Sequence, residues 1–267
     1  MGRPVIALLT DFGTRDHYAG AMKGVVLGIC PDVTLVDISH DVPPHDVVAG
    51  ALELAACYRY FPPGAVFLAV VDPGVGSTRR GIAAEAGEYK FVGPDNGVLS
   101  VVFDETPPKR VVELTERRYA RPTVSRTFEG RDRFAPAAAW LAKGVELSAF
   151  GRPAGPLHRL ELPRPRVGSD VIVGEVVRVD RFGNLVTNID RKAFEKLGSV
   201  ERAAALEIRV GPHQVAKVVS TYADAEAGEI CALFGSSDHL EIAANGASAA
   251  ARLDVGRGAA VHVARRA

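Results

Sequence analysis

The stretch of sequence that decides the fold is Val66-Phe67-Leu68-Ala69-Val70-Val71-Asp72-Pro73-Gly74-Val75-Gly76-Ser77-Thr78-Arg79-Arg80. Its apolar and partly β-branched first half is typical of a buried strand. The strand ends at Asp72, and a loop with one proline and two glycines then leads to two arginines. Because open α/β sheets bind ligands just beyond the carboxyl ends of their strands, a carboxylate beside a cation at this position indicates a site for chemistry.

Length and composition restrict the class of protein. The chain has 267 residues, 47% of them hydrophobic, and its 32 acidic residues balance its 32 basic ones. This composition suits two modest domains with a sizeable core, and it favours neither nucleic-acid binding nor disorder. The three cysteines match no metal-ligand pattern. No apolar stretch reaches the roughly 20 residues of a membrane span, and a strand rather than a signal peptide follows Met1. We therefore expect a cytoplasmic protein without a membrane or nucleic-acid partner.

Strand and helix patterns alternate through the first part of the chain, which is typical of βαβ units and a mainly parallel sheet. Right-handed crossovers would bring the loops that begin at Asp11 and Asp72 to the same edge of that sheet. Asp16 is predicted to cap the first helix. The predicted strands are 5–9, 34–38, 66–71, 81–86, 89–92 and 111–114, and the predicted helices are 17–29, 47–60 and 134–143.

The chain changes character after a proline-rich stretch. We place a linker at 156–168, between an α/β domain over 1–155 and a smaller all-β domain over 169–267. In the second domain turn residues separate short strands, and one helix is expected near 191–197, which favours a small barrel or sandwich. The strands predicted there are 171–179, 204–210, 215–220, 230–234 and 260–263.

Four polar clusters are candidates for chemistry, and the first two follow predicted strands. Asp11 can accept hydrogen bonds from a ribose diol, or it can be an ordinary turn or capping residue. The second cluster is His40, Asp41, His45 and Asp46. These side chains could bind a metal, which leaves a metal-dependent hydrolase open, but the prolines among them splay the side chains and no metal site is expected.

The third cluster joins Asp72 and Arg79, with Glu129 and Arg131 as further members; its alternative interpretation is a buried ion-pair network. The fourth cluster lies in the β domain, at residues 180–188, supported by 235–238 and 245–246. Its amides, hydroxyls and glycines suit recognition of a polar small molecule, and they equally suit ordinary turns.

Five motifs, in their order along the chain, resemble those of the S-adenosyl-L-methionine (SAM) hydroxide adenosyltransferases, also called SAM hydrolases. These enzymes are related to the fluorinating and chlorinating enzymes that displace methionine from SAM with halide. The resemblance covers essentially the whole chain, and the ordered set is specific although each motif alone is weak. The motifs are Leu9-Thr10-Asp11-Phe12-Gly13, Val71-Asp72-Pro73-Gly74-Val75-Gly76, Gly93-Pro94-Asp95-Asn96-Gly97, Arg178-Val179-Asp180-Arg181-Phe182-Gly183-Asn184 and Gly235-Ser236-Ser237.

The resemblance implies hydrolysis of SAM to adenosine and L-methionine, with SAM as substrate and no cofactor. It implies a homotrimer whose sites lie between the N-terminal domain of one subunit and the C-terminal domain of its neighbour. It also assigns substrate contacts: Asp11 to the ribose hydroxyls, Asp180 and Ser236 to the amino acid group, Asn184 and the backbone at Asn245 and Gly246 to adenine, Phe128 and Tyr222 to the rings, and His45 to the methionine end.

Asp72 and Arg79 match two members of the family's water-activating triad of Asp, Arg and His. Relatives carry the His in Thr-Phe-His-Gly-Arg-Asp, and this chain has Glu129 at that position. Methionine leaves as a neutral thioether, so the difficult step is to place water in line with ribose C5′. Arg79 would lower the pKa of Asp72, whereas Glu129 would raise one carboxyl pKa unless Arg79 or Arg131 neutralises it.

Two other functions remain open besides the metal-dependent hydrolase. Halogenating relatives replace the Asp72 position with a residue that leaves room for halide, and the fluorinating ones carry an insertion near the position of Gly87. This chain keeps Asp72 and is short at Gly87, which favours water over halide as the nucleophile. The change to Glu129 leaves open a SAM- or adenosine-binding protein without turnover.

Overall fold

The computed structural model describes residues 2–197 and 206–265. The chain divides after Glu161 into two compact units. The bounds of the predicted linker, 156–168, stay a prediction. Within the described residues, the structure contains no helix that is both long enough and apolar enough to cross a membrane.

The N-terminal unit is a six-stranded mixed sheet with helices. Its elements are β1 Val5–Thr10, α1 Tyr18–Ile29, β2 Thr34–Ser39, α2 Val47–Cys57, β3 Val66–Val70, β4 Gly81–Ala86, β5 Tyr89–Pro94, α3 Ser100–Glu105, β6 Pro108–Glu113 and α4 Ala135–Ala142. Three of the strand pairings, β1–β2, β1–β3 and β3–β5, are parallel, and β4 is antiparallel to both β5 and β6. The predicted α/β domain with a mainly parallel sheet is therefore confirmed.

Strand β3 lies inside the sheet and is buried along its whole length. Because side chains alternate between the faces of a strand, Leu68 and Val70 pack into one apolar cluster, and Phe67 and Ala69 pack into another. Burial of a side chain such as Leu68 contributes roughly 1.5–3 kcal/mol. The strand is thus held from both faces, which gives the loop after it a rigid base.

The pairing of β1 with β3 positions the two loops that were predicted to share an edge. Thr10 is the register partner of Val70 in this parallel pair. Asp11 and Asp72 follow these partners within one and two residues, so the loops that they begin leave the sheet at the same edge. This part of the topology prediction is confirmed.

Some local predictions in this unit need correction. The residue before α1 is His17, whose side chain makes no capping hydrogen bond, so the prediction of an Asp16 cap is wrong. Helix α2 does begin with a side-chain cap, because Asp46 Oδ1 accepts a hydrogen bond from the Ala49 N–H at 2.9 Å. A π-helical turn, Gly130–Phe134, precedes α4.

The C-terminal unit is an antiparallel, nearly closed, barrel-like sheet, which confirms the predicted all-β domain. Its elements are β7 Arg166–Val167, β8 Val171–Val179, β9 Leu185–Asp190, α5 Arg191–Glu195, β10 Leu206–Val210, β11 His213–Val215, β12 Ile230–Phe234, β13 His239–Ala244, α6 Ala249–Leu253 and β14 Ala260–Arg265. The strand order is β11-β10-β14-β8-β9-β13-β12, with β7 paired to β8.

The strand predictions for this unit were incomplete. Strands β9 and β13 were not predicted, and neither was helix α6, whose first turn is capped by Ser248 Oγ. The strand predicted at 215–220 ends at Val215 instead. Residues 204 and 205 of the strand predicted at 204–210 lie outside the described residues, and its remainder is β10.

Candidate active site

Asp72 is the centre of the candidate site in the N-terminal unit. Arg79 donates two hydrogen bonds to it, one from Nε to Oδ1 at 2.9 Å and one from Nη2 to Oδ2. Only 5% of the Asp72 side chain and 10% of the Arg79 side chain are exposed. This bidentate arrangement fixes the orientation of the carboxylate as well as its charge.

The loop between these two residues depends on glycine. Gly76 has a φ of 78°, in the left-handed region, and a Cβ atom built there would clash with the carbonyl oxygen of Arg126. Glycine therefore lets the loop pack directly against the backbone that leads to residue 129. The next arginine serves a different carboxylate, since Arg80 Nε donates to Asp95 Oδ2 at 2.9 Å.

Glu129 joins the pair through Arg79, whose Nη2 lies 2.5 Å from Glu129 Oε2. The other oxygen, Oε1, lies 3.3 Å from Nη2 of Arg133. Arg131 instead donates from Nε to Asp132 Oδ1 at 2.7 Å, so its predicted place in this cluster is wrong. The two carboxylates are thus balanced by Arg79 and Arg133.

The pKa of Asp72 is raised. Burial is the largest cause, and the charge of Glu129 acts in the same direction, while the hydrogen bond and charge of Arg79 act against them. The net direction is opposite to the expectation from Arg79 alone. A raised pKa makes the ionised carboxylate a better proton acceptor than an ordinary aspartate.

Asp132 anchors the segment that carries Glu129. Its side chain is completely buried, and it accepts hydrogen bonds from Arg131 and, at 2.9 Å, from the Ser125 N–H; Arg121 lies 3.2 Å from it. Burial alone would raise the pKa of Asp132, but the hydrogen bonds from Arg131 and Ser125 and the positive charges lower it. These partners favour the ionised form of the Asp132 carboxylate, three residues after Glu129.

Asp11 is tied to the loop that precedes α2. Its Oδ2 accepts a hydrogen bond from the backbone N–H of His45 at 2.8 Å, and His45 has a positive φ of 67°. Asp11 is partly buried and His45 is exposed. The structure thus brings these two predicted substrate contacts together at the edge that also bears Asp72.

Two of the four residues predicted as an alternative metal cluster, His40 and Asp46, have other side-chain partners. His40 Nδ1 lies 2.8 Å from Thr10 Oγ1, and its Nε2 lies 3.1 Å from Asp37 Oδ1. Asp46 caps α2. In the parts of the chain that the structure describes, no three His, Cys, Asp or Glu side chains are grouped as metal ligands.

Phe128 lies in an aromatic cluster with Phe12, the residue that follows Asp11. Its ring packs edge-on against Tyr18, at 5.1 Å between centroids, and against Phe12, at 5.9 Å. Phe128 is buried whereas Tyr18 is 40% exposed. The predicted stacking of Phe128 on a substrate ring stays a prediction.

In the C-terminal unit, Asp180 and Asn184 form one hydrogen-bonded turn. Asp180 Oδ1 accepts hydrogen bonds from the N–H groups of Phe182 at 2.9 Å and Asn184 at 2.8 Å, and its Oδ2 accepts one from Asn184 Nδ2 at 2.9 Å. The turn holds both predicted side chains in place, and it uses both oxygens of the carboxylate in doing so.

Tyr222 is fixed by Glu241, a residue that the sequence did not single out. The Tyr222 hydroxyl donates to Glu241 Oε2 at 3.0 Å, and Glu241 is buried. The pKa of Glu241 is raised, because burial and the charge of Asp180 outweigh the hydrogen bond from Tyr222, which lowers it. Burial and the charge of Glu241 raise the pKa of Tyr222 to about 12. A Cβ at Gly235 would clash with this carboxylate. The signal that was missed is one acid inside an apolar run, residues 240–244.

The other predicted residues of this unit lie on turns around β12 and β13. Ser236 is exposed and follows Gly235. Asn245 Nδ2 donates to the Ala225 carbonyl oxygen at 2.8 Å, and Gly246 is exposed with a φ of 67°. The Asn245 amide thus braces the turn, and the neighbouring backbone is open for contacts.

Comparison with known proteins adds to this geometry. Residues 6–151 match the family model of the SAM hydroxide adenosyltransferase N-terminal domain, and residues 174–262 match that of the C-terminal domain. The (R)-S-adenosyl-L-methionine hydrolase of Salinispora tropica is 40% identical over 255 aligned positions, and the match covers 94% of this chain and 94% of the hydrolase. The fluorinase of Nocardia brasiliensis is 31% identical over 298 positions, covering 98% of this chain and 97% of the fluorinase.

A solved structure agrees with the fold of the whole chain. The crystal structure of an uncharacterized conserved protein from Thermotoga maritima has a TM-score of 0.93 and 36% sequence identity, and the match covers 97% of this chain and all of the other. Both domains of the family are matched, and full-length relatives share well over 30% of the residues. The chain therefore belongs to the SAM hydroxide adenosyltransferase family.

Proposed function

We propose that this protein hydrolyses S-adenosyl-L-methionine to adenosine and L-methionine. The observation that carries the proposal is the buried Asp72 carboxylate, held by Arg79 at the sheet edge that also bears Asp11. Relatives of 34–40% identity are named (R)-S-adenosyl-L-methionine hydrolase. Their name points to the epimer with the R configuration at the sulfonium, and we extend that preference to this chain.

The reaction is a displacement at ribose C5′. The C5′–S bond breaks, its electron pair stays on sulfur, and methionine leaves as a neutral thioether. A bond forms between C5′ and the oxygen of water, whose proton passes to Asp72 and then to solvent. Since the leaving group needs no general acid, the work of the site is to place and polarise the water. Arg79 holds Asp72 for this task, and Glu129 takes the place of the family His.

The substrate contacts follow the resemblance. Asp11 binds the ribose hydroxyls, and SAM is bound without a cofactor. The enzyme acts in the cytoplasm as a homotrimer, in which the N-terminal unit of one subunit and the C-terminal unit of its neighbour complete each site; sedimentation in solution tests the trimer. The remaining contacts are His45, Phe128, Asp180, Asn184, Tyr222, Ser236, Asn245 and Gly246.

Halide transfer is the second candidate, because fluorinases are among the relatives. Two observations favour water over halide. The chain keeps the Asp72 carboxylate, and the fluorinase match extends over 298 positions against the 267 residues of this chain, so the fluorinase carries residues that this chain lacks. The match to the Salinispora tropica hydrolase extends over 255 positions, fewer than the 267 residues of this chain.

The deciding experiment is incubation with each pure SAM epimer, with and without chloride, followed by chromatography. We expect adenosine and methionine from the R epimer, in equal amounts with and without chloride. A 5′-halo product would establish halide transfer instead. Thermal stabilisation by SAM without any product would mean a binding protein, and loss of turnover with a chelator would mean a metal-dependent hydrolase.

A further inference from the structure

Glu129 creates an electrostatic problem in the candidate site. It places a second carboxylate on Arg79, within a cluster whose side chains are about nine-tenths buried. One guanidinium shared by two buried carboxylates leaves a net negative charge, and an unbalanced buried charge is costly. A second strong acceptor also competes with Asp72 for the donors of Arg79.

Arg133 supplies the missing positive charge. Its Nη2 lies 3.3 Å from Glu129 Oε1, the oxygen that Arg79 does not hold at short distance. Glu129 therefore bridges the two arginines, one on each oxygen. The four side chains Asp72, Arg79, Glu129 and Arg133 form a chain of alternating charge with no net charge.

The π-helical turn and a glycine fix the position of Arg133. Glu129 immediately precedes this turn and Arg133 lies within it, four residues later, so both side chains point to the same side. A Cβ at Gly81 would lie 3.3 Å from Arg133 Cδ and 2.7 Å from Phe134 Cε1. The guanidinium carbon of Arg79 lies 5.2 Å from the centroid of the Phe134 ring. The absence of a side chain at Gly81 thus leaves room for Arg133 and for the buried Phe134 ring over which Arg79 lies.

The surroundings of Arg133 favour its bond to Glu129. Its side chain lines a cavity of about 820 Å³, in which the other charged side chains are Glu116 and three arginines, Arg117, Arg118 and Arg121. This surplus of positive charge among the cavity-lining residues favours the pairing of Arg133 with Glu129.

We propose that Arg133 is a positioning residue, which neutralises Glu129 and so keeps Arg79 on Asp72. This inference rests on the proposed hydrolysis of SAM. It explains how a glutamate is accommodated where relatives carry histidine. Arg133 does not touch the substrate in this account; it acts through Glu129 and Arg79 on the orientation of the Asp72 carboxylate.

The test is a double-mutant cycle on turnover of R-epimer SAM. Arg133→Met should lower kcat by about tenfold with little change in KM, and Arg133→Lys should recover most of the loss. The acid limb of its pH–rate profile should move to higher pH, because removal of a positive charge raises nearby carboxyl pKa values. In a Glu129→Gln background, Arg133→Met should change kcat by less than about twofold, since no charge remains to be neutralised.

Arg118→Met is the matched control, because Arg118 lines the same cavity but lies over the Tyr119 ring. It should leave kcat and the pH profile unchanged. Equal losses from Arg133→Met in both backgrounds, or no loss and no shift in folded protein, would overturn the inference. If the unaltered protein makes no adenosine, the proposed function has failed, and a crystal structure of Arg133→Met decides this inference: release of Arg79 from Asp72 supports it, and an unchanged pair overturns it.

Discussion

Arg79 holds the Asp72 carboxylate by both of its oxygens, at the end of the most buried strand of the N-terminal sheet. Asp72→Asn would remove the proton acceptor while retaining the shape of the side chain. We expect kcat for SAM hydrolysis to fall by about 10²–10⁴-fold, the usual loss of a general base. The control is Glu85→Gln, which breaks a second Arg–carboxylate pair, with Arg110, away from the site. Turnover above a third of the original rate in Asp72→Asn would remove Asp72 from the mechanism.

Acid should abolish activity before it unfolds the N-terminal unit. The pKa of Asp72 is raised, so the folded protein takes up this proton at a pH above about 4, the ordinary value for aspartate. Protonation of Asp72 ends catalysis. It does not destabilise the fold, because it removes a buried negative charge whose burial is unfavourable. The pKa of Asp132 is lowered, so its stabilising contribution is present above the ordinary value and is lost only as the pH falls through the lower, folded value.

The measurements for this prediction are a pH–rate profile and urea unfolding over roughly pH 3 to 8. Activity should decline while the free energy of unfolding is still near its neutral value. A coincident decline of the two would contradict the opposite directions assigned to Asp72 and Asp132.

Gly76→Ala should disturb the loop that links Asp72 to Arg79. The position has a φ of 78° and faces the Arg126 carbonyl oxygen, so the methyl group adds a clash to the backbone penalty of about 1–2 kcal/mol. Gly64→Ala is the matched control, because Gly64 has a φ of 84° but open space around it. Unfolding in urea should show a larger loss for Gly76→Ala, accompanied by lower kcat. Equal losses at the two positions would mean that the close approach to Arg126 is unimportant.

Tyr222→Phe tests the hydrogen bond between Tyr222 and Glu241 in the C-terminal unit and the proposed role of Tyr222 in binding SAM. It leaves the buried Glu241 without its phenol donor, which should cost about 1–3 kcal/mol of unfolding free energy. Without this hydrogen bond the aromatic ring at position 222 is less firmly held. The substitution should therefore raise KM for SAM more than it lowers kcat, because Tyr222 is proposed to bind the substrate and not to react with it. Tyr60→Phe, at an 80% exposed position, is the control and should change neither quantity. A selective loss of kcat would contradict a binding role.

The sequence predicted the central strands β1 and β3 well because they are apolar along almost their whole length and are bounded by turn residues. Strands β9 and β13 were missed for the opposite reason. Thr187 and Asn188 interrupt the first and Glu241 the second, so neither shows the uniform or alternating pattern of a strand. The acid in β13 is buried because Tyr222 donates to it, a tertiary contact that no local pattern reveals.

The sequence predicted most residues of the candidate site, but it did not predict all of the ion pairs that join them. Asp72, Arg79 and Glu129 do meet, but Arg131 lies two residues from Glu129 and faces elsewhere, whereas Arg133 at a spacing of four faces it. That spacing was readable from the sequence. The direction of the Asp72 pKa was not, because it depends on how completely the packed strand and loop exclude water.

The hairpin of β4 and β5 has a consequence for how the sheet assembles. These strands pair across a connection of two residues, Gly87 and Glu88, whereas β1 and β3 pair across two helices and another strand. Loop closure grows more costly with the length of chain enclosed, so the hairpin is the cheapest contact in the sheet to form. The strand pair that aligns the Asp11 and Asp72 loops is therefore expected to close late in folding, onto a hairpin already in place.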